Sequence, residues 1–278
     1  MFQFKIFSIY LFISLVLMGG SLTANDEKTS NNDNLINEQP TEKQNEPRIL
    51  VKYYSAEAIQ ALPRLKPLAN QEPEYNKILF KLENFPKNKE IILEIRRLAS
   101  DDTKTYERKV SFSIQDDGSM VITNTDHKLQ TLIGSSRGYL PGEMVHFRFR
   151  TADGDVEKET SGVPAPAILK DNDHNIVLKA ELVSVNPTVY QISLPTMDDG
   201  EEYVLKSTSI GETIKAKPKY VKDTAFHYAP AANGNSKGGD AILEIRRTSG
   251  QVYTIQLPWG SALEGYLSGK KIYSPKPS

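Results

Sequence analysis

The chain has 278 residues, with Lys plus Arg 34 against Asp plus Glu 35 and a formal net charge of −1. That balance supplies no concentrated positive charge for nucleic acid or an anionic membrane. Cysteine is absent, which excludes disulfides, thiol catalysis, iron–sulfur clusters, Cys-ligated zinc and a lipid carried on an amino-terminal cysteine.

Lys5 precedes an apolar run, Ile6–Met18, and Gly19-Gly20-Ser21-Leu22-Thr23-Ala24 follows. A charged start, a short apolar middle and a small-residue end describe a secretory signal peptide over residues 1–24. A helix that crosses the hydrocarbon core needs about 20 apolar residues. Gly19-Gly20 interrupts this run first, so cleavage between Ala24 and Asn25 is expected rather than retention as an anchor. Loss of Lys5 then takes the formal net charge from −1 to −2. Pro187 blocks the sequon-like Asn186-Pro187-Thr188 and no other acceptor occurs. With the missing cysteines, this points to a bacterial exported protein of the periplasm, cell surface or medium.

Residues 25–48 are Asn-, Glu-, Lys-, Gln- and Pro-rich, with Leu35 and Ile36 as their apolar residues. Such a stretch buries too little to offset its ordering entropy and reads as a disordered polar spacer. From Ile49 the pattern is β. Ile49–Tyr54 is a strand, and Ser55–Leu62 a short helix capped by Ser55 and stopped by Pro63. Period-two alternation then sets strands at Lys77–Phe85, Glu90–Arg97, Tyr106–Ile114 and Met144–Arg150. Asp116-Asp117-Gly118, Pro141-Gly142 and Ala152-Asp153-Gly154 supply turns between them. Lys158–Pro166 reads as an inter-domain joint. Beyond it come strands at Ile176–Leu182, Val189–Leu194, Glu202–Ser207, Thr213–Lys217, Ala225–Tyr228, Ala241–Arg247 and Val252–Leu257.

This rhythm predicts an all-β protein of two tandem immunoglobulin-like antiparallel β-sandwiches, at residues 49–160 and 161–262, with a flexible tail at 263–278. The hexapeptide Ile-Leu-Glu-Ile-Arg-Arg occurs at Ile92–Arg97 and again at Ile242–Arg247. The settings of the two copies differ, and Gly142–Thr160 is the better match to Gly239–Trp259. The domains are therefore expected to share a fold while the hexapeptide reflects recurrent strand grammar.

Gly134-Ser135-Ser136-Arg137-Gly138 has the spacing of a nucleophile elbow, but Tyr139-Leu140-Pro141-Gly142 cannot open the helix that such an elbow needs. Ser136 reads as part of a strand-end loop. His127, His146, His174 and His227 are scattered, without the close pair usual in zinc sites. Asp171-Asn172-Asp173-His174 and Asp116-Asp117-Gly118 offer oxygens to calcium without the spacing of a dedicated loop, and read as turns. Asn233–Gly239 is a glycine-rich hairpin rather than a phosphate loop. His146, Arg148 and Arg150, with Arg137 upstream, form a basic stripe that suits either an anionic ligand or an ordinary solvated strand face. Trp259 reads as an edge plug of the second core. Neither catalytic residues, nor metal ligands, nor a cofactor are expected, and binding residues are not specified.

The strand rhythm of the first domain resembles immunoglobulin-like modules of the fibronectin type III sort. The stretch Leu82-Glu83-Asn84-Phe85-Pro86, then Glu90–Leu93, Val110–Phe112 and Asp116–Val121, also resembles the amino-terminal β-sandwich of acyl-CoA thioesterases. That second resemblance implies a fold and transfers no activity, since the catalytic α/β domain of those enzymes has no counterpart here. Two sandwiches behind a leader are similar to periplasmic pilus chaperones as well, though their basic charge and proline-rich strand motif are missing. The expectation is an exported, non-enzymatic binding or structural protein whose partner is another protein or an envelope component. It binds no nucleic acid and meets the membrane only in transit. The alternatives are an assembly chaperone acting by strand addition and a hydrolase on a β scaffold.

Overall fold

The structure is a computed structural model, and it describes residues 46–61, 74–99, 105–123, 125, 128–129, 132–210, 212–230 and 237–273. The leader with Ala24 and Asn25, the spacer to residue 45, His127, the 231–236 part of the glycine-rich hairpin and residues 274–278 lie outside the described residues.

In chain order the first half contains β1 (Arg48–Tyr54), α1 (Ala56–Ala61), β2 (Lys77–Glu83), β3 (Glu90–Arg97), β4 (Glu107–Ile114), β5 (Met120–Ile122), β6 (Lys128–Leu129), β7 (Leu132–Ser135), β8 (Val145–Thr151) and β9 (Glu157–Gly162). They form two antiparallel sheets, ordered β1-β2-β7 and β6-β5-β4-β3-β8-β9. Alternation explains the packing. Ile91, Leu93 and Ile95 of β3 and Val145, Phe147 and Phe149 of β8 all face one core with Ile78 and Phe80 of β2. Phe80 meets Phe147 edge to face at 5.0 Å. Each such aromatic or branched side chain contributes about 1.5–3 kcal/mol by leaving water. The helix begins as its cap requires, with the Ala58 amide donating to Ser55 Oγ at 3.1 Å.

The second half contains β10 (Ala167–Lys170), β11 (Ile176–Val185), β12 (Thr188–Ser193), β13 (Tyr203–Ser209), β14 (Glu212–Ala216), β15 (Ala225–Tyr228), β16 (Gly238–Arg247), β17 (Val252–Gly260) and α2 (Leu263–Leu267). Its sheets run β10-β11-β12-β15 and β14-β13-β16-β17. In immunoglobulin lettering, β1-β2-β7 and β11-β12-β15 are both A-B-E, while β9-β8-β3-β4 and β17-β16-β13-β14 are both G-F-C-C′. The chain is thus all-β, built from two immunoglobulin-like sandwiches. β5 and β6 extend the first, and β10 precedes strand A of the second.

This lettering also places the repeated hexapeptide. Ile92–Arg97 lies on strand C of its sandwich and Ile242–Arg247 on strand F. Gly142–Thr160 and Gly239–Trp259 instead both cover the F–G hairpin.

Two stretches differ from the sequence reading. Of the joint expected at 158–166, residues 158–162 belong to β9, which pairs with β8 from Arg150↔Glu157 to Val145↔Gly162. As an edge strand with alternating exposed and half-buried residues, β9 needs no apolar side chains, so its polar sequence conceals it. The tail expected to be flexible from residue 263 begins instead with α2, whose Leu263 and Tyr266 are buried in the second core. Tyr266 then stacks edge-on against Tyr273 at 6.3 Å.

Between β9 and β10 the chain is short, and Pro164 and Ala165 are buried. The Gly142 amide donates to Ala165 O at 2.8 Å and the Leu182 amide to Gly142 O at 2.9 Å. Glu143 and Leu182 form a parallel bridge. Leu140, from the first half, is fully buried within the second core, and Leu98 and Ala99 pack against it. The Tyr75 hydroxyl donates to Gly269 O at 2.8 Å. Because β10 runs away from the junction and β11 returns towards it, the second sandwich offers the end of strand A, the end of strand G and α2 to the first. Gly142 has φ +74, and a Cβ there would stand 2.5 Å from Ala180 O. Only glycine fits this crossing.

Candidate functional site

Two arrangements in the first sandwich concentrate charge, one buried at the junction and one on the outer face of the G-F-C-C′ sheet. At the junction, Arg97 closes β3 and Glu143 stands two residues ahead of β8. Glu143 Oε1 accepts from Arg97 Nε at 3.2 Å and from the Ala99 amide at 3.1 Å. Its Oε2 accepts from Arg97 Nη2 at 2.6 Å and from the Leu140 amide at 3.1 Å. Arg97 Nη2 also donates to Gly138 O at 2.9 Å, and the guanidinium lies 4.4 Å from the centre of the Tyr139 ring. The Glu143 side chain is 0 % exposed and that of Arg97 9 %. Burial works against the Arg97 charge, but Glu143 outweighs it and holds the guanidinium's pKa above its ordinary value. Burial pushes the Tyr139 hydroxyl up to about 12. Every acceptor of this carboxylate is used within the protein, so the arrangement is structural and leaves nothing for a substrate.

On the outer face, Glu94 of β3 lies between Arg148 and Arg150 of β8. Glu94 Oε2 accepts from Arg148 Nε at 2.8 Å and Oε1 from Arg150 Nη2 at 3.0 Å. Burial disfavours the Glu94 charge, yet Arg150 and Arg148 more than compensate and hold its carboxyl below the usual range. Arg148 also lies 4.0 Å over the Tyr106 ring and 3.7 Å from Glu157. Arg108 pairs with Glu90 at 2.8 Å. The arginines at 148 and 150 are therefore neutralised by in-sheet carboxylates, and the basic stripe read from alternation becomes a charge ladder.

Arg137 is not part of that face. It lies in the loop after β7, and a Cβ on Gly269 would stand 2.7 Å from its Nε. Ser136 sits in the same loop, buried, with its amide donating to Asn76 O at 2.9 Å and its carbonyl accepting from the Tyr139 amide at 3.2 Å. The chain then turns through Gly138 at φ +80 instead of opening a helix, so the elbow spacing is coincidental. His146 lies on β8, His227 on the edge strand β15, and His174 in a turn at φ +65. No cluster of three His, Asp or Glu able to hold a metal occurs among the described residues. The two acidic turns are Asx turns. Asp117 Oδ1 accepts from the Ser119 amide at 2.9 Å, and Asp171 Oδ1 from the amides of Asp173 and Asn175 at 3.0 and 2.8 Å. Trp259 packs, half-buried, against the second core.

Sequence reasoning passed over Glu94, Arg96, Tyr106 and Glu143. A usable signal existed for the last. In Pro141-Gly142-Glu143 an acid precedes a strand by two residues, and the Arg-Arg that ends the hexapeptide needs a carboxylate. The same spacing recurs at Glu201 ahead of β13.

No family model matches the chain, and no curated protein matches it in sequence. Among solved structures, it is similar to a tetra-tandem repeat in the extending region of a large adhesion protein, at 10 % identity and a TM-score of 0.23. That alignment covers 77 % of this chain and 49 % of the other. It is also similar to the FN1–FN3 domains of chicken CNTN1, at 9 % identity and a TM-score of 0.23, covering 66 % of this chain and 61 % of the other. The chain thus spans about half to three fifths of those structures, neither of which is an acyl-CoA thioesterase.

Proposed function

We propose that this chain is an exported, non-enzymatic binding or structural module, in which two immunoglobulin-like sandwiches are held as one body. The observation that supports this is the junction. Leu140 enters the second core, Glu143 bridges to Leu182 and Arg97 is sealed beneath them. Domains that act by opening and closing are joined by more solvated contacts and move by default, whereas a joint with a buried leucine and a sealed ion pair suits a spacer or scaffold that keeps two loop clusters apart. The leader supports export, and no helix among the described residues is long and apolar enough to cross a membrane.

Fractionation of cells expressing the full chain, with amino-terminal sequencing of the product, tests the address. The expected product is outside the cytoplasm and begins at Asn25. An unprocessed cytoplasmic chain contradicts the reading, as does ester hydrolysis that disappears in Ser136→Ala.

A further inference from the structure

The outer face of the first G-F-C-C′ sheet is ordered in cross-strand rows, and one row breaks the pattern of the others. Glu94 lies opposite Arg148, which lies opposite Glu159. The next row places Arg150 opposite Glu157. At the junction end, Arg96 lies opposite His146, and His146 opposite Ser161. Directly opposite residues on one face hold their Cβ atoms about 4.5–5.5 Å apart, so these three side chains stand side by side across three strands.

This row contains donors and no carboxylate. Arg96 is the arginine of this face that has no acidic partner among the described residues. Its contact is with the Tyr106 ring, whose centre is 5.2 Å away, and its Nε is sealed without a hydrogen bond. Ring contact of that kind contributes about 0.5–1 kcal/mol and leaves the charge unneutralised. The second sandwich shows that the fold does not require such a row. There the cross-strand row near the end of strand C holds Thr208, Ile242 and Gln256.

We propose that the Arg96–His146–Ser161 row is a binding site for a single carboxylate, presented by a small acid or by an acidic side chain of a partner protein. The guanidinium gives a fixed fork for two carboxylate oxygens, and His146 and Ser161 add donors alongside it. Selectivity comes from the neighbouring rows. Glu94, Glu157 and Glu159 repel the further charges of a dense polyanion, so an isolated carboxylate fits and a long polyanion does not. Arg96 from β3, Ser161 and Glu159 from β9, and Tyr106 ahead of β4 are the groups disposed around His146. Burial, then the Arg96 charge, holds the His146 pKa below its ordinary value. Glu159 already pulls the other way, and a bound carboxylate adds to that pull, favours the imidazolium and raises the pKa. The inference concerns the folded sandwich and stands whether or not the chain is exported.

The test is titration of the full chain with acetate, and separately with a blocked tripeptide carrying one central Glu, followed by the His146 ring resonances in NMR against chloride at equal ionic strength. The expected result is a saturable shift with a dissociation constant of about tens of millimolar, as hydrogen bonds to a charged group allow, together with titration of His146 at higher pH. Arg96→Met abolishes the shift and Arg150→Met keeps it. Binding of the peptide about tenfold or more tighter than acetate identifies a partner's side chain as the source, and equal binding identifies a small acid. A linear response indistinguishable from chloride overturns the proposal, as does saturation that survives Arg96→Met. The wild-type titration decides this by itself if the variant fails to fold.

Discussion

Arg97–Glu143 and Arg247–Glu201 are the same device placed in different surroundings. In each, the arginine ends an Ile-Leu-Glu-Ile-Arg-Arg strand, and the glutamate stands two residues ahead of the antiparallel neighbour. The register is Arg97↔Val145 in one sandwich and Arg247↔Tyr203 in the other. Each guanidinium grips both carboxylate oxygens and spends a further donor on a loop carbonyl, Gly138 O or Thr196 O. The strands differ, C in the first sandwich and F in the second, because C and F are neighbours and either can supply the arginine. What separates the two is cover. The second sandwich closes over Glu143, which also accepts from the Ala99 and Leu140 amides. Glu201 lies at the rim, and Asp198, 91 % exposed, comes within 3.7 Å of the same arginine. One local pattern therefore serves as a sealed joint in one place and as a loop anchor in another.

That contrast orders the expected effects of mutation. Glu143→Ala leaves Arg97 buried without its counter-ion and is expected to cost about 3–5 kcal/mol in denaturant unfolding. The double change Arg97→Met with Glu143→Leu should recover most of that loss, since replacing both charges removes the desolvation penalty as well. Gly142→Ala forces a left-handed backbone on alanine, about 1–3 kcal/mol before any clash with Ala180 O is counted, and the same unfolding curves report it. At the other arginine, Glu201→Ala should cost about 1.5–3 kcal/mol, the range for hydrogen bonds to charged groups. Hydrogen bonding to Arg247 holds the Glu201 carboxyl below its usual range. Its contribution is thus complete above the unfolded carboxyl's pKa and fades as pH falls through the lower folded value. Stability curves of wild type and Glu201→Gln should converge in that acid window. Glu94→Gln is expected to lose about 1 kcal/mol, because the amide oxygen still accepts from one arginine and Arg148 and Arg150, 24 % and 30 % exposed, keep solvent contact.

Much of the fold was legible from alternation. Ile91, Leu93 and Ile95, and Val145, Phe147 and Phe149, identified strands C and F of the first sandwich directly, since a buried face must be apolar at every second residue. Edge strands carry no such demand, so Glu157–Gly162 passed for a linker. In α2, two buried residues, Leu263 and Tyr266, sit in too short a stretch to show helical periodicity. The arginine clamps were illegible for a different reason. Their partners are 46 residues apart in both sandwiches, and only the strand register brings them together. The outer-face stripe shows the limit of reading one strand alone. His146, Arg148 and Arg150 looked uniformly basic until β3 and β9 set Glu94 and Glu157 beside the arginines and left Arg96 without an acidic partner among the described residues.

Scanning calorimetry of the full chain and of Glu143→Ala tests most directly whether the sandwiches are one body. A single cooperative transition is expected in the wild type, displaced as a whole to lower temperature by the substitution. Two separate wild-type transitions, only one of which moves in Glu143→Ala, contradict the account.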